Sequence, residues 1–397
     1  MDNKTDFYGR QCVEKKQCGA PFSCDATLKF VTTRANRSVK DGFRVITCFA
    51  FLASSLASTA PVFADNPGDH FNLKFWKLTL PLDANQDGKV DEVGVRSLAD
   101  YSHPDFFYLD DDRSLVFTAP NKAKTTSGSS NTRSELRQML RGRNTRIGTH
   151  DPKNNFALRA HKGYRAFASV GGQLEATLKV LHVARNAANE SKKAAYSVVV
   201  GQIHADRDQD VINKGKGFGW GNEPIKVYYK KWPNHDTGSV FWTYERNLPR
   251  GDPNRTDIAY PVWGNTWENP EDPGSDGIAL GQLFNYNINL HKNTMYLTFR
   301  TADPARTVTY QVDLSDNVDP FGEVDANDNP RGYSGDALYF KAGAYNQCST
   351  LDKEGIWYAG CAGTGDWAID SANGDYTSVA FRRIQLSGSV DPGRGRK

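Results

Sequence analysis

The chain is poor in methionine and in long helical or apolar stretches, and these scarcities exclude several classes of protein. Only 3 of 397 residues are Met, against 35 Gly and 17 Tyr, a balance that suits short strands joined by turns. Charged residues make up 24% and hydrophobic residues 38%, which excludes a disordered chain. The length allows one large domain or two ordinary ones.

The body of the chain also lacks an excess of either charge. The formal net charge is +3, but residues 1–64 carry nine Lys or Arg and five Asp or Glu. That leaves 40 basic and 41 acidic residues in 65–397, a net charge of −1. A nucleic-acid binder usually has a basic body. We therefore expect no nucleic-acid partner, and any anion must be bound by a local arrangement of side chains.

The first 64 residues end in the pattern of a secretion signal. Arg37, Lys40 and Arg44 precede a short apolar run at 45–53, and small residues then lead to Ala64. The run is too short and too rich in Ser and Thr to span a bilayer comfortably. The alternative is a buried core segment. We expect an N-terminal extension plus signal at 1–64, a secreted or periplasmic monomeric protein, one folded domain at 65–390 and a flexible tail at 391–397.

Cysteine is nearly absent from the expected mature protein. Four of the six cysteines fall in the first 48 residues, and only Cys348 and Cys361 follow. In an exported protein these two are most simply a disulfide, although two independent buried thiols are the alternative.

From about Phe71 onward the sequence predicts one strand after another. Leu174, Ala176, Leu178 and Val180 alternate with polar residues, and two alternating segments on either side of 291–293 predict a hairpin. Many short strands with turn signals indicate an all-β sandwich or barrel. The long polar stretches 215–221 and 249–281 are predicted to be walls or lids of a site.

Three of the predicted strands carry unusual polar faces. Alternate side chains of a strand point to the same side, so each segment presents one set of polar groups. These sets contain cations, amides and aromatic hydroxyls, which suit an acidic polymer. They are Arg133, Glu135 and Arg137; Gln202 and His204; and Tyr339, Lys341, Tyr345 and Gln347.

These segments, Arg-Ser-Glu-Leu-Arg, Gln-Ile-His and Tyr-Phe-Lys-Ala-Gly-Ala-Tyr-Asn-Gln, resemble the signature blocks of the alginate lyases of polysaccharide lyase family 7. The resemblance covers roughly residues 71–386. It implies a β-jelly roll of two antiparallel sheets, a concave substrate groove, alginate as partner and no organic cofactor. It also places catalytic residues at Arg133, Gln202, His204 and Tyr345, and a substrate contact at Lys341.

The chemistry of β-elimination suggests a role for each of these groups. The enzyme must neutralise the uronate carboxylate while the C5 proton leaves, which suits Arg133 and Gln202, supported by Arg137 and Lys341. Glu135 is expected to hold the guanidinium groups in place. His204 is the candidate base and Tyr345 the candidate acid, and a tyrosine in a cationic site could also be the base. The resemblance also implies a preference for guluronate or mixed linkages, because Ile203 stands between Gln202 and His204, where family members that cleave mannuronate tend to have Val. We expect endolytic action.

Parts of the same pattern are also compatible with other functions and sites. The Arg-Glu-Arg segment alone could be a surface ion-pair ladder. A glycoside hydrolase needs two carboxylates flanking the bond, whereas the signature faces offer only Glu135. A non-catalytic polysaccharide-binding jelly roll could use the same groove without His204 and Tyr345. The acidic segment 83–91 resembles half of a calcium loop, but position 94 is Gly where such a loop needs Glu. We therefore predict a polar turn and no metal, with a weak structural calcium site as the alternative.

Overall fold

A computed structural model describes residues 65–188, 192–351 and 359–394. The predicted extension and secretion signal therefore lie outside the described residues, as do the last three residues of the predicted tail. In the described part, no helix is long and apolar enough to cross a membrane.

The described chain is built almost entirely from strands. The helices are short, as the lack of a helical period predicts: α1 (Pro67–His70), α2 (Gln209–Asn213) and α3 (Trp367–Asn373). The strands are β1 (Trp76–Thr79), β2 (Glu92–Val93), β3 (Phe107–Leu109), β4 (Leu115–Pro120), β5 (Arg133–Gln138), β6 (Phe156–Ala157), β7 (Ser169–Val170), β8 (Gly172–His182), β9 (Ser197–Ala205), β10 (Ile225–Lys230), β11 (Ser239–Glu245), β12 (Asp257–Trp263), β13 (Phe284–His291), β14 (Thr294–Ala302), β15 (Ala305–Asp313), β16 (Leu338–Asn346) and β17 (Tyr376–Ser387).

The strands form two sheets. The front sheet has the order β12-β11-β10-β9-β16-β5-β1-β2, with β6 and β7 attached beside β16. The back sheet has the order β15-β14-β13-β8-β17-β4-β3. All pairings are antiparallel except the short β6–β7 pair, which is parallel. The all-β jelly-roll prediction is confirmed, with this one parallel pair as a departure.

One core of apolar side chains joins the two sheets. β8 alternates buried and half-buried residues along its whole length, so the predicted period of two is confirmed. The predicted hairpin is β13–β14, whose turn contains Lys292. Ile203 on β9 is fully buried in the core, as strand alternation requires for the residue between Gln202 and His204.

The two sheets are also joined by a hydrogen bond directly beneath β9. Tyr286 on β13 donates its hydroxyl to the Val200 carbonyl at 3.0 Å. A Cβ at Gly201 would lie 2.3 Å from that hydroxyl oxygen, so only glycine leaves room for the ring. This contact is next to Gln202 and holds that part of β9 against the back sheet.

Two smaller predictions concern cysteine and calcium. Cys348 and Cys361 are bonded, with a Cα–Cα distance of 5.4 Å. In the 83–91 segment the carboxylates hold the turn itself, since Asp83 accepts from the Gly88 N–H and Asp91 from the Ala84 N–H. Lys124 also pairs with Asp83 at 3.4 Å. Over the described residues no group of three or more His, Cys, Asp or Glu is placed to hold a metal ion.

Candidate active site

A groove of about 640 Å³ lies over the front sheet, and most of the predicted site residues line it. Seven of the nine are on its surface, namely Arg133, Arg137, His204, Tyr339, Lys341, Tyr345 and Gln347. The other two, Glu135 and Gln202, lie beneath the floor and are almost fully buried. The groove walls include Trp220 and Arg250, so the predicted role of the long polar stretches as walls is confirmed at these points.

Glu135 is the centre of a buried polar network under the floor. Its carboxylate accepts hydrogen bonds from Arg133 at 3.1 Å and from the Gln202 amide, and it pairs with the Lys341 ammonium. The register explains the convergence, because Gly343 of β16 lies opposite Glu135 and Lys341 lies opposite Gln202. Three neighbouring strands thus direct two cations and one amide to one carboxylate.

Burial disfavours the charged forms of the groups in this network, and the opposite charges beside them offset part of that cost. Burial opposes ionisation of Glu135, but the charges of Lys341 and Arg133 bring the pKa of its carboxyl below the ordinary value. Burial and the nearby Arg133 charge lower the pKa of the Lys341 ammonium to about 8, although Glu135 opposes this shift. At the floor of the groove, Lys341 is therefore a cation that loses its proton more readily than an exposed lysine.

The contacts of Arg137 differ from those expected, since Glu135 was expected to hold both arginines. Its guanidinium donates to the Gln138 carbonyl at 2.8 Å, to the Thr149 carbonyl at 3.3 Å and to Asn155 at 3.2 Å. It also stacks 3.8 Å above the Tyr339 ring. Because these contacts point away from Glu135, Arg137 supports the loop that carries Thr149, and Lys341 replaces it as the second cation on Glu135.

Tyr345 stands at one end of the network. The Arg133 guanidinium lies 3.9 Å from the centre of the Tyr345 ring, and the Tyr345 hydroxyl is 3.1 Å from the Ser129 hydroxyl on the groove wall. Gly343 makes this placement possible: its φ is +147°, and a Cβ there would lie 2.5 Å from the Ser134 carbonyl. Glycine in the signature segment thus allows β16 to approach β5 closely.

His204 stands at the other end, stacked on Tyr339 with ring centres 5.2 Å apart. Its Nδ1 is 2.6 Å from the Ala205 carbonyl, so this nitrogen carries a proton. Its Nε2 is 3.0 Å from a carboxylate oxygen of Glu223. With Nδ1 donating to the carbonyl, Nε2 is the nitrogen left to accept a proton, and it must part from Glu223 to reach a substrate.

Sequence reasoning missed the acidic group next to His204. Burial opposes the charge of Glu223, but Lys226 and His204 hold the pKa of its carboxyl well below the ordinary value. Lys226 on β10 is itself buried, 2.8 Å from Asp257 and 3.4 Å from Glu223. No pattern within a single strand could have found this group, because Lys226 comes to lie opposite Gln202 only through the pairing of β10 with β9.

Comparison with known proteins extends over nearly all of the described chain. The model of an alginate lyase family matches residues 71–388. An alginate lyase of Klebsiella pneumoniae is 37% identical over 323 residues, which are 79% of this chain and 92% of that protein.

Solved structures agree with this match. The crystal structure of the alginate lyase from Klebsiella pneumoniae has a TM-score of 0.63 at 32% identity, covering 82% of this chain and 99% of that one. An exolytic alginate lyase of polysaccharide lyase family 7 from Zobellia galactanivorans has a TM-score of 0.65 at 32% identity, with the same coverage.

Proposed function

The chain belongs to the alginate lyases of polysaccharide lyase family 7, and on that premise we propose that it cleaves alginate by β-elimination in the groove over the front sheet. The observation that carries the proposal is the arrangement at the floor. Two buried cations, Arg133 and Lys341, share one carboxylate, and His204 and Tyr345 line the same groove.

The cations are proposed to neutralise the substrate carboxylate. As the C5 proton leaves, negative charge develops on the carboxylate beside it, and preorganised donors stabilise that charge. Arg133 presents a planar fork that matches a carboxylate, and Glu135 holds it from below at 3.1 Å. Gln202 is fully buried and its amide donates to Glu135. Its proposed role is to position the Glu135 carboxylate, and through it Arg133 and Lys341, beneath the substrate.

His204 and Tyr345 are proposed to move the protons. On β16, Tyr339 lies opposite His204 and six residues before Tyr345, so the reacting sugar would lie over Lys341 between them. His204, neutral with its proton on Nδ1, would take the C5 proton through Nε2 once the ring has moved off Glu223, and Tyr345 would give its hydroxyl proton to the C4 oxygen as the C4–O bond breaks. In this step the C5–H and C4–O bonds break, a C4–C5 double bond forms, and no water is added.

Because Glu223 engages the Nε2 of His204, a second assignment of the base is favoured for mannuronate linkages. In mannuronate the C5 proton and the leaving oxygen lie on the same side of the ring, where Tyr345 alone could serve as base and acid. In guluronate they lie on opposite sides, which suits two separate groups. His204→Ala is therefore expected to reduce turnover on guluronate blocks more than on mannuronate blocks. Equal losses on both would exclude a separate role for Tyr345 as base.

The central experiment follows ultraviolet absorbance during incubation with alginate. Elimination creates a conjugated C=C, whereas hydrolysis and simple binding do not. Tyr345→Phe should lower kcat by about 10²–10⁴-fold with the fold retained. An intact Tyr345→Phe variant with near-normal turnover would contradict the assignment. The non-catalytic binding alternative is not favoured, because the relatives are lyases.

The mode of cleavage is a further part of the proposal. Polar groove side chains extend from Lys77 on β1 to Glu245 on β11, across six adjacent strands. At roughly 4.8 Å per strand spacing this floor is about 24 Å wide, enough for several sugar residues and suited to endolytic cleavage. A rapid fall in alginate viscosity before short products accumulate would support endolytic action. Release of only the shortest products from the start would contradict it.

Export and a monomeric state are proposed on the sequence pattern alone. Cell fractionation, together with mass spectrometry of the exported protein, should find a mature chain that begins near Asp65. Light scattering should give the mass of one chain. Retention of residues 1–64 on the exported protein, or a dimer mass, would contradict these two points respectively.

A further inference from the structure

A second histidine lies on the rim of the groove, outside the network described above. The His150 side chain is 75% exposed, yet its Nδ1 is 2.7 Å from the carboxylate of Asp206, whose side chain is only 5% exposed. Both residues line the groove, and no hydrogen bond among the described residues engages the His150 Nε2.

The loop that carries His150 is held in place from several sides. The Thr149 carbonyl accepts hydrogen bonds from Asn154 at 2.8 Å and from Arg137 at 3.3 Å. Asn155 contacts the second oxygen of Asp206 at 3.4 Å. Asp206 follows β9 directly, two residues after His204, so the imidazole is tied to the same strand as the proposed base. The ring is therefore preorganised and is not a freely rotating surface side chain.

The charges around His150 are those of an anion site. The charged groups that act most strongly on it are Asp206 from the end of β9, Arg137 on β5 and Lys77 on β1. The hydrogen bond to Asp206 raises the pKa of the imidazole, although burial and the two cations oppose the shift. Arg137 is engaged with the loop and Lys77 pairs with Glu92 at 2.6 Å, which leaves the His150 Nε2–H as the open donor.

We propose that His150, held by Asp206, is a subsite that binds the carboxylate of a uronate residue bound beyond the reacting sugar. The inference rests on the proposed function, since it assumes that a uronate chain occupies the groove. The imidazolium would donate from Nε2 to the carboxylate, with Lys77 and Arg137 adding positive potential. When the ring is neutral, Nδ1–H still donates to Asp206, so Nε2 becomes an acceptor and repels the carboxylate.

The test compares His150→Asn with wild type on alginate polymer and on an oligosaccharide of two to three residues. Asn cannot carry charge, and the His150 side chain is exposed, so the substitution removes no core packing. His70→Asn is the matched control, because His70 also pairs with an aspartate, Asp65, at 3.1 Å but lies outside the groove. Asp206→Asn, which keeps the His150 ring but removes its charged partner, is the second variant.

Loss of one exposed charge-assisted contact should raise KM for the polymer by about 3- to 10-fold and leave kcat within about twofold. The effect should be absent on the short oligosaccharide and in His70→Asn. The ratio of variant to wild-type KM should fall toward one as the pH rises, because wild-type His150 then loses its charge. In an Asp206→Asn background, His150 should lose its charge at a lower pH, because the hydrogen bond that raises its pKa is weakened. The KM values with and without His150→Asn should therefore converge at a lower pH than they do in the wild-type background.

Two results would overturn the subsite. One is an unchanged polymer KM in His150→Asn at every pH, and the other is a fall in kcat with no change in KM. Failure of the proposed function is separate, because wild type would then form no unsaturated product. In that case calorimetric titration of alginate oligosaccharides into wild type and His150→Asn still measures the contact, and equal Kd values would refute it.

Discussion

Replacing Glu135 by glutamine should destabilise the protein because it removes the counter-charge of two buried cations. The Glu135 side chain is 1% exposed, and those of Lys341 and Arg133 are 9% and 10% exposed. Breaking a buried ion pair by removing one partner typically costs about 3–5 kcal/mol, since the remaining charge is left uncompensated. We expect a loss of that size in the free energy of unfolding at pH 7, from urea denaturation.

Glu92→Gln is the matched control for Glu135→Gln. Glu92 also pairs with a lysine, Lys77, at 2.6 Å in the same sheet, but its side chain is 46% exposed. Water screens such a pair, so the expected loss is about 0–1 kcal/mol. A similar small loss in both variants would refute the argument that the Glu135 network depends on burial.

The loss in Glu135→Gln should also depend on pH. The lowered pKa of Glu135 means that its stabilising effect is complete above its unfolded pKa and disappears as the pH falls through the folded value. On the alkaline side, wild-type Lys341 loses its proton near a pKa of about 8, so less charge remains to be compensated. The stability difference between wild type and variant should therefore narrow from pH 7 to pH 9.

Turnover should fall as well, because Glu135 fixes the positions of Arg133 and Lys341. A displacement of about 1 Å at a reacting centre can cost about 10²-fold in rate. We expect a loss of this order in kcat for Glu135→Gln. Normal kcat in a variant that is destabilised would show that the substrate itself can organise the two cations.

The site and the core can be tested at three further positions. Arg133→Lys keeps the charge but loses the planar fork, so kcat should fall; a change in KM alone would make Arg133 a ground-state binder. Ile203 packs in the core beneath the floor, so it can affect linkage preference only indirectly, through the position of the sheet. We expect faster initial rates on guluronate than on mannuronate blocks, by no more than about 1–3 kcal/mol of discrimination. Faster cleavage of mannuronate blocks would contradict this expectation. The Cys348–Cys361 bond should resist alkylation without reduction, and its removal by Cys→Ser changes should cost about 3 kcal/mol; ready labelling of both thiols would show that the bond is absent.

The local pattern of the sequence was sufficient to predict the strands and the polar faces. A period of two residues identifies β8, β13 and β14 because side chains of a strand alternate between core and solvent. The same rule placed Arg133, Glu135 and Arg137 on one face and Ile203 in the core. These are properties of a single strand, so they require no knowledge of its neighbours.

Which polar groups meet was decided only by the tertiary structure. Alternation assigns a side chain to a face but does not say which strand lies beside it or in which register. Pairing of β16 with both β5 and β9 brought Lys341, in place of Arg137, onto Glu135. Pairing of β10 with β9 brought Lys226 next to Gln202, and a loop 56 residues away in sequence placed His150 on Asp206. Electrostatic interactions act through distance in space, and sequence separation carries no information about that distance until the sheets have formed.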